Sequence, residues 1–180
     1  LPRARLTLAC ALAALSVSAG VGFATTLVPA RGQDPRGLRQ LQRWVDRSRV
    51  PTPRGRVVVW LTDRGCGSSA ACVYRPRPVI VFYAGERDRA AHYEFMHELG
   101  HVVDLLYLSR RERVAFKRIM GVERRPWWGG PVPPGEWFAD AYAFCALGNR
   151  SARSRVFWGY WYYPSRRQQR RACALIRRQP

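Results

Sequence analysis

His97-Glu98-Leu99-Gly100-His101 places two imidazoles four residues apart, with a carboxylate beside the first. On an α-helix that spacing puts both rings on one face, about 6 Å apart along the axis. One metal ion can then reach both rings, and Glu98 can orient and deprotonate a water at that metal. The flanking residues supply the helix. Phe95, Leu99, Val102, Val103 and Leu106 make a broad apolar stripe, which predicts a helix from Asp88 to about Leu108. The plainer alternative is an amphipathic helix with two satisfied histidines and an exposed glutamate. Against it, the chain has 3 histidines and two of them stand in this motif. The third, His92, falls on a different helical face and reads as a surface residue.

Upstream, Val79 to Tyr83 is an apolar β-branched and aromatic run, hence a strand. Pro76 and Pro78 lead into it and suggest an edge position, where an extended peptide could add alongside. Arg56 to Leu61 predicts another strand. Asp34-Pro35 has the form of an N-cap and first helical residue, with Leu38, Leu41, Trp44 and Val45 on the apolar face of a short helix. Downstream, Ser109-Arg110-Arg111-Glu112 has capping-box spacing and predicts a helix from Arg110 to Met120, stopped at Gly121. Arg124 to Gly135, rich in Pro, Gly and Trp, reads as an irregular loop. In it, Trp127 and Trp128 could line a cleft or pin the loop to the core. A helix from Glu136 to Leu147 and a basic helix over Arg166 to Arg178 follow, separated by the aromatic run Phe157 to Tyr163.

A catalytic zinc usually has three protein ligands and one open position. The extended form of the motif is absent: Asp104 stands where it has Gly, and Tyr107 where it has His. The third ligand is therefore sought in Glu136-Trp137-Phe138-Ala139-Asp140. On a helix Glu136 and Asp140 share a face. Glu136 can ligate, while Asp140 accepts a hydrogen bond from the outer nitrogen of a liganding histidine. Alternatively, Glu136 serves only to place negative charge at a helix N-terminus. Asp104 could support His101, act as a fourth ligand, or sit on the helix surface.

The HELGH motif followed by a Glu-x-x-Ala-Asp helix resembles the gluzincin branch of the zincin metallopeptidases. It is most similar to those resembling the protease domain of anthrax lethal factor, over about Val79 to Leu147. The resemblance implies an α+β, zincin-like fold: a small mixed sheet with an edge strand packed on the active-site helix, plus C-terminal helices. It implies Zn2+ on His97, His101 and Glu136, and Glu98 as general base in hydrolysis of a peptide or protein substrate. Asp140 replaces the family's longer glutamate. The residue that would stabilise the transition state is not placed by motif. Tyr160, Tyr162 and Tyr163 are candidates by chemistry alone.

The ends of the chain bear on location. Arg3 and Arg5 precede an uncharged stretch from Leu6 to Ala30, which reads as a signal peptide or an N-terminal membrane anchor. Small residues at Val17-Ser18-Ala19 and at Val28-Pro29-Ala30 offer two cleavage points. Residues 31–180 then form a single domain, secreted or held at the cell envelope. The formal charge is +19, and Lys117 is the one lysine among 31 basic residues. From Ala141 onward there are nine arginines and no acid, a tail suited to an anionic envelope or membrane surface. No specific nucleic-acid partner is expected, and the expected unit is a monomer. The alternative function is a non-catalytic zinc-containing envelope protein; Glu98 argues against it, since a structural site needs no base. Outside the leader stand Cys66, Cys72, Cys145 and Cys173, which an oxidising compartment would pair. The preferred pairing closes the loop Cys66 to Cys72 and leaves Cys145 with Cys173. Alkylation without reductant, read by intact mass, should add no label at these four positions. Labelling of two or more would place the chain in a reducing compartment.

Overall fold

The computed structural model describes residues 24–64, 66–67, 69–74, 77–85, 89–131, 133–148 and 164–179. Four strands form one mixed sheet: β1 (Thr25–Pro29), β2 (Gly55–Thr62), β3 (Ala71–Tyr74) and β4 (Val79–Tyr83). Their order is β1-β2-β4-β3. β1, β2 and β4 run parallel, and β3 is antiparallel to β4. Parallel neighbours need a crossover. Between β1 and β2 it is a 3-10 turn (Pro35–Leu38) followed by α1 (Arg39–Asp46). Asp34 caps that turn by accepting from the Arg36 amide, with Pro35 at the first position.

One expectation from sequence meets a correction here. Val79–Tyr83 is not an edge strand: it lies between β2 and β3. Pro78 precedes β4, where a missing N–H costs no ladder bond. The edges are β1 and β3; β3 is four residues long, follows the small-residue cysteine loop, and packs against α2. The end of the expected leader, residues 1–30, overlaps the sheet. Thr25–Pro29 is β1, paired with Gly55–Val59. Cleavage after Ala30 would remove this strand, and cleavage after Ala19 would keep it. Among the described residues, no helix is long and apolar enough to cross a membrane.

The sheet's inner face carries Val57, Val59, Ile80 and Phe82, all buried. It meets α2 (Arg89–Tyr107), where the Phe95 ring stands edge-on to Phe82 at 5.5 Å. Behind α2 lie α3 (Arg110–Met120), α4 (Pro134–Leu147) and α5 (Arg166–Ile176). α3 begins in the expected capping box, Ser109 with Glu112, and ends at Gly121 in the left-handed region. α5 begins in a second box, Ser165 with Gln168. α4 starts two residues earlier than Glu136 because Pro134 takes the first helical position. One buried apolar cluster runs from Leu27 to Ile176. Both expected disulfides are present, Cys66–Cys72 at the base of β3 and Cys145–Cys173 between α4 and α5. The second spans 28 residues, and by loop entropy contributes about 3–4 kcal/mol.

His92 is not the free surface residue expected from its helical face. It is half-buried and stacks on Trp44 of α1, ring centroids 4.6 Å apart. Burial, then the charge of Arg47, lowers its pKa to about 4. A lowered histidine pKa means the unfolded chain binds the proton first. Stability is therefore lost as pH falls from about 6.5 to about 4, by about 1–2 kcal/mol once partial exposure is allowed for. Denaturant midpoints at the two ends of this window should fall less for His92→Phe than for wild type. Equal falls would assign the acid sensitivity to other groups.

Candidate metal centre

The site is built where α2 and α4 cross. These two helices share the most extensive contact in the fold. Gly100 permits it: a Cβ there would stand 2.9 Å from both Ala139 Cα and Tyr142 Cβ. The glycine inside the motif is thus needed for close approach, and it brings the first turn of α4 over the two histidines.

His97 and His101 are buried on one face of α2, 6% and 8% exposed, so little water competes for them. Their Nε2 atoms lie 3.2 Å and 3.1 Å from the same oxygen, Glu136 Oε2. Such separations suit hydrogen bonds and equally suit atoms that share one ion. Bond lengths near 2.0–2.1 Å at tetrahedral angles put ligand atoms about 3.3 Å apart. Among the described residues, these three form the one His/Cys/Asp/Glu group with converging ligand atoms, all within 4.8 Å of one another. The donor set of two imidazoles and a carboxylate fits a divalent transition metal such as zinc.

Asp140 reaches despite its shorter side chain. Its Oδ1 lies 2.7 Å from His97 Nδ1 and accepts a bond from the Tyr93 hydroxyl at 2.8 Å. This fixes the ring with Nε2 aimed at the group. Burial opposes charge on His97, but the bonds to Asp140 and Glu136 outweigh it and raise its pKa well above 6.5. Burial likewise opposes charge on Glu136, and the bonds from His101 and His97 outweigh it, holding that carboxyl far below the usual range. Glu98 differs. Burial raises its pKa, the two histidines only partly offset this, and Glu136 and Glu94 add to it. It is a stronger base than a surface glutamate. Its Oε2 is buried with no hydrogen-bond partner among the described residues, as is His101 Nδ1.

Asp104 stands apart from this group. It is fully buried, not on the helix surface, and both oxygens are occupied. Arg113 Nε donates to Oδ1 and Trp127 Nε1 to Oδ2, each at 2.8 Å. The tryptophan pair divides the two roles open to it. Trp127 pins the loop to the core against Phe116 and Phe138. Trp128 lies 5.6 Å from the His101 ring and packs over Gly135, where a Cβ would meet it at 2.5 Å. Tyr93 and Trp128 were not assigned to the site from sequence. Tyr93 stands four residues before His97, so the helical period carried its signal. Tyr160, Tyr162 and Tyr163 lie outside the described residues. Compared with known protein families, characterised proteins and solved structures, the chain matches none.

Competitive titration against a zinc chelator should rank the carboxylates. Glu136→Ala should lose zinc most severely, and Asp140→Ala should weaken it by about 10- to 100-fold. Asp104→Ala should bind zinc nearly as wild type but unfold more easily, by about 2 kcal/mol in denaturant titration. If Asp104→Ala proves the most damaging and Glu136→Ala neutral, the third ligand lies on α2.

Proposed function

We propose that this chain is an extracytoplasmic zinc metallopeptidase of the gluzincin kind. The observation that carries the reading is the convergence of His97, His101 and Glu136 on one point, with the buried base Glu98 beside them. The two disulfides support a place outside the cytoplasm. A bound zinc ion would supply Lewis-acid polarisation of the scissile carbonyl and a lowered pKa for water.

The chain's own residues supply the rest. Glu98 takes a proton from the attacking water as its oxygen bonds to the carbonyl carbon. It then passes that proton to the amide nitrogen as the C–N bond breaks, so each cycle ends with Glu98 ionised again. Its raised pKa suits both transfers. Asp140 and Tyr93 keep His97 from turning during the cycle. Trp128 walls the His101 side and limits entry of bulk water. β3, as the sheet edge beside α2, offers backbone groups to an extended substrate.

Glu98→Gln should retain one zinc per chain and the wild-type melting profile. Its turnover of a broad peptide library should fall by about 100-fold or more. A variant as active as wild type would remove Glu98 from the mechanism. Zinc-loaded wild type without turnover on any peptide would favour the binding-protein reading.

A further inference from the structure

The helices farthest from the sheet carry a charge pattern that the metal centre does not use. α3 and α5 pack against each other. Gln168, near the start of α5, bonds to the Met120 carbonyl at the end of α3, and Gln179, past the end of α5, bonds to Glu112 at the start of α3. The two helices are therefore antiparallel neighbours. α5 buries Ala172, Cys173 and Ile176, so its other face points outward. That face carries Arg166, Arg167, Arg170 and Arg171, with Arg177 and Arg178 at its C-terminal end, all exposed. α3 adds exposed Arg110, Arg111 and Arg118.

None of these side chains forms an ion pair among the described residues. The acid on α3, Glu112, is engaged by Ser109 and Gln179. Exposed Glu123, in the turn after α3, is a small offset. The result is a basic plate of two packed helices, each 11 residues and about 16 Å long, that carry nine exposed guanidinium groups on or just past them. The sequence shows only the α5 half. The α3 arginines join it through tertiary packing.

We propose that this plate docks the protein on an anionic phospholipid surface. Guanidinium groups match phosphate oxygens in bidentate fashion. Two antiparallel helices present a broad face, suited to a plane of headgroups. Single-stranded nucleic acid fits less well, because neither helix itself exposes an aromatic ring on which a base could stack; among the described residues the exposed large apolar side chains are Trp60, Tyr74 and Leu106. On the extracytoplasmic reading proposed above, which the disulfides support, membrane rather than nucleic acid is the abundant polyanion around the plate. Cys145–Cys173 also fastens α5 to α4, the helix bearing Glu136, so docking would hold the metal centre at a set height above the bilayer.

Vesicle co-sedimentation of the full chain tests this. The probes are phosphatidylcholine vesicles and phosphatidylcholine vesicles mixed with phosphatidylglycerol. Wild type should bind the anionic vesicles far better, and raising salt from about 0.05 M to about 0.3 M should release it. Each arginine at such a surface is worth about fivefold in affinity, so Arg167→Gln, Arg171→Gln and Arg178→Gln together should cost about 100-fold. The same triple change at Arg110, Arg111 and Arg118 should weaken binding in the same direction. Removing Arg31, Arg36 and Arg39 instead loses equal net charge off the plate and should cost only a few-fold. Three outcomes would overturn the proposal. These are equal loss in that control, equal binding to neutral vesicles, or tighter binding to double-stranded DNA at the same salt.

Discussion

The close crossing of α2 and α4 governs the rest of the molecule. Gly100 faces Ala139 with no room for a methyl group between them, and everything chemical depends on that separation. Wider by one methylene, Glu136 Oε2 would not stand midway between two imidazole nitrogens. Asp140, the shortest acid able to do the work, would not reach His97 Nδ1. Buried Ala139 and Tyr142, facing Gly100 along this seam, supply apolar contact that keeps the helices together. Packing and chemistry are thus set by one contact, and the sheet and α1 serve to hold α2 still beneath it.

The chain also separates its charges. Among the described residues most arginines are exposed, whereas Glu98, Asp104 and Asp140 are buried in the helical layer. Buried carboxylates are costly unless satisfied. Asp104 is satisfied by Arg113 and Trp127, and Asp140 by Tyr93 and His97 through one oxygen. Glu98 and Asp140 each keep one buried oxygen without a hydrogen-bond partner among the described residues. Both fall beside the converging ligands, and that of Glu98 is where a reacting group would need it.

The site was more legible in the sequence than the sheet. Two imidazoles at helical spacing, and two carboxylates at the same spacing, need only local geometry, and local geometry is what a sequence states directly. The capping boxes at Ser109 and Ser165 and the turn at Asp34 have the same local character, although only the first and last were recognised in advance. Strand order does not follow from local pattern. β3 is four residues long and begins at a cysteine loop, so no alternation reveals it. β1 lies inside an apolar stretch whose composition also suits a leader. Asp104 and His92 were misplaced because their partners, Trp127 and Trp44, come from distant segments.

The bond between Cys145 and Cys173 makes a covalent ring of the chain between them. A ring has a property that a packed but open chain lacks: it can be nicked once without falling into two molecules. A backbone cut anywhere within that segment would leave α5 tethered by sulfur, and the buried contacts of Ala172 and Ile176 would hold it in register. Such a ring makes the loss of α5 require reduction as well as cleavage.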